Sequence, residues 1–355
     1  MAERVCALIL AGGRSSRMGT DKTALSLGGQ TLLERAAAFW LAQPGIDGVF
    51  AAVGTEEHLP SLPEGVTPVY DEYPGCGPMA GLQAAFSQAD ADILYVSAVD
   101  MPFLTTETLL PPPAGDAAVY VKNDRPEPLL GVYRRSCLPA MEAALRDGRP
   151  RMSALLDAVE TAYVPLPEAL LSAAENLNTR ADYLRALAGS PPTLVCMGWS
   201  GSGKTTFLEK LIPVLIGRGL RVAVVKHDAH GFEMDKPGKD TWRLSRAGAV
   251  GTAISGPNGW AVLGREEIGL DGLKAKLPPA DLILVEGHKY SAYPKLEIHR
   301  AATGKDFILA GDDSLLAAVT DEPVPTAAPQ LGLDDVDACA ALILEIFFPE
   351  KGSAS

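Results

Sequence analysis

The second half of the chain contains the segment Gly198-Trp199-Ser200-Gly201-Ser202-Gly203-Lys204-Thr205. It fits the P-loop pattern G-x-x-x-x-G-K-[ST] at every fixed position. The apolar run Leu194–Met197 precedes it, and a helical pattern over Thr205–Ile216 follows, with a kink expected at Pro213. A strand, a glycine loop and a helix in this order present backbone amides to phosphate. The second half is therefore predicted to be a P-loop NTPase-like domain.

A glycine-rich loop of a different kind lies near the amino terminus. It reads Leu10-Ala11-Gly12-Gly13 and is followed by Arg14, Arg17 and Lys22, directly after the apolar run Val5–Leu10. The glycines allow a tight turn whose amides face an anion, and the three cations can bind phosphate oxygens. The cluster indicates a second phosphate site, although Arg14 alone is equally well explained as an exposed basic residue.

The composition limits the class of protein. At 355 residues the chain suits two α/β domains, and its net charge of −13 argues against a general nucleic-acid binder. The five cysteines are far apart and form no C-x-x-C pair, so neither a disulfide framework nor a zinc site is indicated. No segment is long enough to span a bilayer. We expect a cytoplasmic protein without nucleic-acid or membrane partners, which captures anions through local clusters of Arg and Lys.

Short apolar runs separated by helical patterns predict largely parallel sheets covered on both faces. The predicted strands are Val5–Leu10, Gly48–Val53, Ile93–Val99 and Ala117–Val121 in the first half, and Leu194–Met197, Arg221–Val225, Val250–Ile254, Trp260–Val262 and Leu282–Val285 in the second. A helix is predicted over Thr31–Ala42. The predicted organisation is two three-layer α/β/α domains over residues 1–188 and 194–348, a linker over 189–193, and a loose tail over 349–355.

Polar residues follow several predicted strands. Asp100 and Glu286 each stand at the carboxyl end of an apolar run, where open α/β sheets bind ligands and where a carboxylate can hold Mg²⁺. Asp100 could equally cap the next helix, and Glu286 could be a solvated strand end. His227, Asp228 and His230 follow another apolar run, but their spacing fits no zinc site, so contact with phosphate or substrate is predicted instead.

The first half resembles the MobA family, the molybdenum cofactor guanylyltransferases. Four motifs occur in the order found in that family, and together they cover residues 1 to about 188. They are Leu10-Ala11-Gly12-Gly13-x3-Arg17-Met18-Gly19-x2-Lys22, Asp71-Glu72-Tyr73-Pro74-Gly75-Cys76-Gly77-Pro78-Met79-Ala80-Gly81-Leu82, Asp100-Met101-Pro102 and Glu175-Asn176-Leu177-Asn178-Thr179-Arg180-Ala181-Asp182. The L-A-G-G form favours the guanylyl enzymes over the related cytidylyl enzymes. Where the family often carries an Asn for the base, this chain reads Ala52-Val53-Gly54-Thr55.

The resemblance implies a Rossmann-like nucleotidyltransferase fold and roles for the matched residues. The implied nucleotide-binding set is Leu10, Ala11, Gly12, Gly13, Lys22, Asp71 and Asp100, the catalytic set is Arg17, Lys22 and Asp100, and the set near the pterin substrate is Gly77, Pro78 and Asn178. The implied reaction is an in-line attack by the terminal phosphate of Mo-molybdopterin on the α-phosphorus of GTP, with pyrophosphate as the leaving group. Mg²⁺ on Asp100 would screen the repulsion between the anions.

The second half resembles the MobB family, the P-loop partner in molybdopterin guanine dinucleotide synthesis. Besides the P-loop, the match includes the K-H-x-x-H segment from Lys226, Gly238-Lys239-Asp240-Thr241-Trp242-Arg243, Ala247-Gly248-Ala249, and the L-V-E-G-H-K run from Leu284 that is followed by Pro294-Lys295-Leu296-Glu297. The implied GTP-binding residues are Gly198, Gly201, Gly203, Lys204, Thr205 and Thr206, with Thr205 and Glu286 on Mg²⁺ and with His227 and Asp240 as substrate contacts.

The leading hypothesis is a bifunctional fusion that makes molybdopterin guanine dinucleotide. GTP and Mo-molybdopterin are the expected small-molecule partners, and molybdopterin-inserting factors and molybdoenzyme apoproteins are the expected protein partners. Three alternatives remain open: a cytidylyltransferase for the same pterin, a GTP-dependent carrier or assembly factor for the cofactor, and a P-loop kinase.

Overall fold

The computed structural model describes residues 3–11, 22–54, 61–228, 231–232 and 234–352. The chain divides into two compact units, Met1–Ala186 and Leu187–Ser355. In the part of the chain that is described, no helix has the length and apolar character needed to cross a bilayer.

The first unit is built on a mixed seven-stranded sheet and a small hairpin. Its strands are β1 Val5–Leu10, β2 Ser26–Leu27, β3 Gln30–Thr31, β4 Gly48–Ala52, β5 Val66–Val69, β6 Ile93–Ala98, β7 Ala117–Lys122, β8 Arg125–Arg134 and β9 Thr161–Pro165. The sheet order is β5-β4-β1-β6-β8-β7-β9, and β2 pairs with β3. Strands β5, β4, β1 and β6 are parallel, whereas β8 runs antiparallel to both β6 and β7. The parallel part therefore brings the carboxyl ends of β1, β4 and β6 to one edge.

Five α-helices accompany this sheet in the described residues. They are α1 Leu32–Leu41, α2 Pro78–Gln88, α3 Leu138–Arg146, α4 Met152–Leu156 and α5 Arg180–Ala188. Helix α1 begins with a capping box, in which Thr31 and Glu34 satisfy each other's backbone amides. Helix α2 is buried along almost its whole length, with Met79, Leu82 and Phe86 fully enclosed in the core. Burial of these apolar side chains fixes α2 against the sheet.

The second unit is built on a parallel six-stranded sheet and a separate hairpin. Its strands are β10 Thr193–Met197, β11 Val222–Lys226, β12 Gly251–Gly256, β13 Gly259–Gly264, β14 Leu282–Glu286, β15 Lys295–His299, β16 Leu315–Thr320 and β17 Gln330–Leu331. The sheet order is β11-β14-β10-β15-β16-β17, and every pairing in it is parallel. Its helices are α6 Lys204–Gly217, α7 Asp240–Arg246, α8 Leu270–Lys274, α9 Val336–Phe347 and α10 Pro349–Gly352.

The predicted fold class, two α/β domains with largely parallel sheets, is confirmed. Two details differ from expectation. The predicted strands at 250–254 and 260–262 do not join the covered sheet, because they form the antiparallel hairpin β12–β13, whose Ile254, Trp260 and Val262 are exposed. The segment expected to be a loose tail begins with the short helix α10.

Candidate functional sites

The first site lies where β1 and β6 end side by side. These strands are parallel with Leu10 opposite Ala98, so Asp100 falls just beyond the sheet edge. The side-chain amine of Lys22 donates to Oδ2 of Asp100 over 2.6 Å and to Oδ1 of Asn178 over 3.3 Å. The structure therefore brings together three predicted residues from distant parts of the sequence.

The backbone around this cluster is fixed by hydrogen bonds. The amide of Leu177 donates to the carbonyl of Asp100 over 2.8 Å, which ties the segment before α5 to the end of β6. The carboxylate of Asp182 then accepts from the amides of Asn178 and Thr179 and so caps α5. These bonds hold Asn178 beside Asp100, and Lys22 is supported from two sides.

The Asp100 carboxylate fits a magnesium ion. Its side chain is 13% exposed, and its Oδ1 atom is buried without a hydrogen-bond partner among the described residues. A buried carboxylate oxygen without a donor is costly unless a ligand satisfies it. Mg²⁺ prefers such oxygen ligands and commonly uses one or two carboxylates together with substrate phosphates.

Asp71 lies near this edge, beyond the end of β5. Burial raises the pKa of its carboxyl to about 6. Its amide donates to the carbonyl of Gly54 over 2.9 Å, and its Oδ1 would lie 3.8 Å from a β-carbon placed on Gly81 of α2. Gly77 is the residue before α2, with a φ of 67°, and Pro78 is the first helical residue. The predicted nucleotide and pterin residues of this segment thus flank the start of one buried helix.

The remaining predicted residues of the first site are only partly described. Gly12, Gly13 and Arg17 lie outside the described residues. Leu10 is a buried core residue, and the amide of Ala11 already donates to the carbonyl of Ala52 over 3.0 Å. Contacts of these two residues with a nucleotide stay a prediction.

The second site is the P-loop between β10 and α6. A β-carbon on Gly198, whose φ is 141°, would lie 2.2 Å from the carbonyl oxygen of Ile298, so only glycine fits this close approach. Gly201 and Gly203 also have positive φ angles, 81° and 96°. The amine of Lys204 donates to the carbonyls of Gly198 and Trp199 at 3.0 and 2.9 Å, which places it across the loop.

Thr205 and Glu286 meet beside the P-loop. The Thr205 hydroxyl donates to Oε1 of Glu286 over 2.9 Å, and the amine of Lys226 lies 3.4 Å from the same oxygen. A hydroxyl and a carboxylate in contact at the end of a P-loop are suitable oxygen ligands for Mg²⁺. Thr206, the next residue of α6, is exposed and lines an adjoining cleft.

A pair of histidines lies next to Glu286. The His227 amide donates to the Glu286 carbonyl over 2.9 Å, and the rings of His227 and His288 are 4.2 Å apart. Burial, with a smaller contribution from His227, lowers the pKa of His288. Among the described residues, no group of three or more His, Cys, Asp and Glu side chains could hold a metal ion. His230 lies outside the described residues.

The observed ion pair of Asp240 is with a residue outside this cluster. It begins α7 with a side chain that is 96% exposed, and its ion-pair partner is Arg243 at 3.9 Å. A role for Asp240 in substrate contact stays a prediction.

Sequence reasoning gave no role to His288 or to Arg300. His288 belongs to the quoted L-V-E-G-H-K segment, so the motif itself was a usable signal. Arg300 follows β15, and the guanidinium atom Nη2 would be 3.5 Å from a β-carbon on Gly203 of the P-loop. The sequence predicts no strand before Arg300, because Lys295, Glu297 and His299 interrupt the apolar run.

Two protein-family models match the chain. Residues 7–162 match the MobA-like NTP transferase domain, and residues 193–321 match molybdopterin guanine dinucleotide synthesis protein B.

Curated proteins show the same two likenesses. The molybdopterin-guanine dinucleotide biosynthesis adapter protein of Escherichia coli (strain K12) is 36% identical over 45% of this chain and 96% of that protein. The probable molybdenum cofactor guanylyltransferase of Mycolicibacterium paratuberculosis is 33% identical over 52% of this chain and 95% of that protein. A crystal structure of molybdopterin-guanine dinucleotide biosynthesis protein A from Archaeoglobus fulgidus is 29% identical, covers 51% of this chain and 95% of that chain, and has a TM-score of 0.45. From the family models and the two curated relatives, the chain belongs to the MobA-like NTP transferases through its first unit and to the MobB family through its second.

Proposed function

We propose that the chain makes molybdopterin guanine dinucleotide. The first unit transfers GMP from GTP to Mo-molybdopterin with release of pyrophosphate, and the second unit binds GTP and assists the transfer. The observation that carries the proposal is the cluster of Lys22, Asp100 and Asn178 at the carboxyl edge of the sheet, in a chain whose relatives include proteins named for guanylyl transfer and for the adapter.

The side chains of this cluster suit phosphoryl chemistry between two anions. Lys22 carries a compact positive charge that can bind the phosphates of GTP and stabilise negative charge as it develops on the leaving pyrophosphate. Asn178 supports the amine of Lys22, and the buried Asp100 carboxylate would hold Mg²⁺. When bound there, Mg²⁺ would screen the repulsion between the pterin phosphate and the triphosphate. The attacking phosphate is already ionised, so the reaction needs no side-chain nucleophile or strong general base.

Pyrophosphate release by the purified full-length chain tests this function. We expect release with Mo-molybdopterin, Mg²⁺ and GTP, and little release when CTP or ATP replaces GTP. Turnover with CTP in preference to GTP would favour the cytidylyl alternative, and a phosphorylated product without pyrophosphate would favour a kinase.

A pair of aspartate variants distinguishes nucleotidyl transfer by the first unit from a role as cofactor carrier or assembly factor. Asp100→Ala should abolish dinucleotide synthesis, because it removes the carboxylate at the carboxyl end of β6. Asp90→Ala is the matched control, since Asp90 precedes β6, is 92% exposed and pairs only loosely with Arg4 at 3.2 Å. Unchanged synthesis in the Asp100→Ala chain would contradict the proposal and support a carrier or assembly role.

A further inference from the structure

The second residue of the P-loop, Trp199, is a large aromatic side chain that is 39% exposed. Its ring nitrogen donates to the carbonyl of Asp306 over 2.8 Å, so the indole is held against the segment that follows β15. Its backbone carbonyl accepts from the amine of Lys204 over 2.9 Å, which ties the same residue to the phosphate loop. An aromatic face that is exposed but already fixed loses little conformational entropy when a flat ring stacks on it.

A cleft with a volume of about 320 Å³ opens beside this indole. One side is formed by residues 199–201 of the P-loop, and the other by Arg300, Ala302, Thr303 and Lys305. The second side is held in place, because the amide of Ala301 donates to the carboxylate of Asp321 over 2.8 Å. A cleft of this size, with one aromatic wall and a few polar groups, is suited to a small molecule.

Positive charge lies around the exposed ring. The amines of Lys289 and Lys305 are 5.9 and 5.7 Å from the centre of the Trp199 ring, and among the residues described neither forms an ion pair with a carboxylate. They belong to the segments after β14 and β15, the two strands that flank β10. Arg300 adds a third cation, and its buried Nε atom has no acceptor in the described part of the chain. In a chain with a net charge of −13, basic residues without carboxylate partners indicate an anionic ligand.

We propose that this cleft binds the pterin of Mo-molybdopterin, with the fused ring lying on the face of Trp199 and the phosphate in contact with Lys305 and Arg300. The inference rests on the function proposed above, in which the chain uses two substrates that each carry a flat ring and phosphate. The P-loop amides and Lys204 suit the triphosphate of GTP, so the pterin is the substrate left for the neighbouring cleft. Fused heteroaromatic rings stack on tryptophan, and Arg and Lys bind phosphate oxygens. The second unit thus assists transfer by keeping the pterin on the same chain as the transferase.

Isothermal titration of the full-length chain with pterin-6-carboxylate tests the stacking contact. This probe is a stable pterin whose carboxylate stands in for the phosphate. The pterin site proposed for the first unit is untouched by substitutions at Trp199, so the expected change concerns a separate class of sites. Trp199→Leu, which keeps an apolar side chain but removes the aromatic face, should weaken that class roughly 10- to 100-fold. Trp260→Leu is the matched control, because Trp260 is exposed too, at 64%, but lies on β13 and does not line the cleft.

A charge reversal tests the contact with the anionic group. Lys305→Glu should weaken pterin-6-carboxylate binding at the same class of sites roughly 5- to 20-fold, because it replaces an attractive contact by a repulsive one. The difference from the wild type should shrink at high salt, since the lysine is exposed. Lys276→Glu makes the same change of charge at an exposed lysine outside the cleft, and it should leave pterin binding unchanged.

Saturating GTP should leave the pterin bound in this cleft, and the Trp199→Leu chain should still bind GTP, which also shows that its P-loop is folded. Displacement of the pterin by GTP would assign the cleft to the nucleotide and overturn the proposal. A pterin titration that neither Trp199→Leu nor Lys305→Glu changes would overturn it as well. If Lys204→Ala meanwhile removes one GTP site, only the cleft assignment is wrong. A Lys204→Ala chain that keeps every GTP site would instead overturn the proposed function of the second unit.

Discussion

Gly81 of α2 allows the helix to approach the sheet of the first unit at the edge that carries the candidate site. A β-carbon at this position would lie 2.8 Å from Cβ of Ala52 and 3.1 Å from Cδ2 of Leu10. Ordinary carbon contacts are about 3.5–4.0 Å, so Gly81→Ala forces α2 or β4 to move by roughly 1 Å. Both neighbours are buried, and overpacking of this kind costs about 1–3 kcal/mol.

The gain in helix propensity from Gly to Ala, about 1 kcal/mol, offsets part of this cost. We therefore expect Gly81→Ala to lower the free energy of unfolding of the first unit by up to about 2 kcal/mol. Urea denaturation, followed by the fluorescence of the buried Trp40, measures this change.

Gly217→Ala makes the same substitution in a helix of the second unit, whose unfolding is followed by circular dichroism in the same titration. Gly217 is also helical, at the end of α6, but its added β-carbon would meet nothing within 4 Å. It should therefore be neutral or slightly stabilising. A first unit that Gly81→Ala stabilises by the full helix-propensity gain of about 1 kcal/mol would refute the close approach of α2 to β1 and β4, and with it the placement of Asp71 beside that edge.

Three other perturbations address the two sites. Asn178→Ala should slow pyrophosphate release by roughly 3- to 10-fold, far less than Asp100→Ala, because it removes one hydrogen bond to Lys22. Lys204→Ala should weaken GTP binding by the P-loop while transfer by the first unit persists, and loss of all transfer would show that the two sites act as one. Because burial raises the pKa of Asp71 from 3.8 to about 6, the folded first unit binds an additional proton between these values. Its stability should therefore fall by about 1–2 kcal/mol as the pH rises from 4 to above 6, because the carboxylate is only half-buried and solvent screens part of the effect, and this slope should be absent from Asp71→Asn.

The sequence best predicts those strands and loops whose own residues already indicate their burial or backbone conformation. Strands β1, β6, β10 and β14 are largely apolar and each has a parallel neighbour, and the sequence predicts each of them to within one residue at either end. The P-loop is also recognisable, because its glycines and Lys204 fall within eight consecutive residues, even though the distant carbonyl of Ile298 also requires a glycine at position 198.

The sequence predicted poorly those elements that depend on tertiary partners. Strand β15 carries Lys295, Glu297 and His299, all buried, and its charges are acceptable only because the folded chain supplies partners for them. Both carboxylate oxygens of Glu297, for example, accept backbone amides, from Ile308 and Leu309, at 2.8 Å. Partners of this kind are distant in sequence, so hydropathy cannot reveal them. Arg300 was missed for the same reason, since it follows that strand.

The two candidate sites place positive charge around a phosphate in different ways. The geometry of the second site can therefore be predicted from the sequence, whereas the contacts of the first cannot. The P-loop places backbone amides and Lys204 around a phosphate within eight consecutive residues, so its geometry is local. In the first unit, Lys22 is 78 residues from Asp100 and 156 from Asn178, and only the completed sheet brings them into contact. Partial unfolding of the first unit should therefore remove its phosphate site entirely.

In a chain with a net charge of −13, neither site can rely on long-range attraction of an anionic nucleotide. Binding at each must come from these few short contacts, which is why single substitutions at Lys22, Asp100 and Lys204 are expected to have large effects.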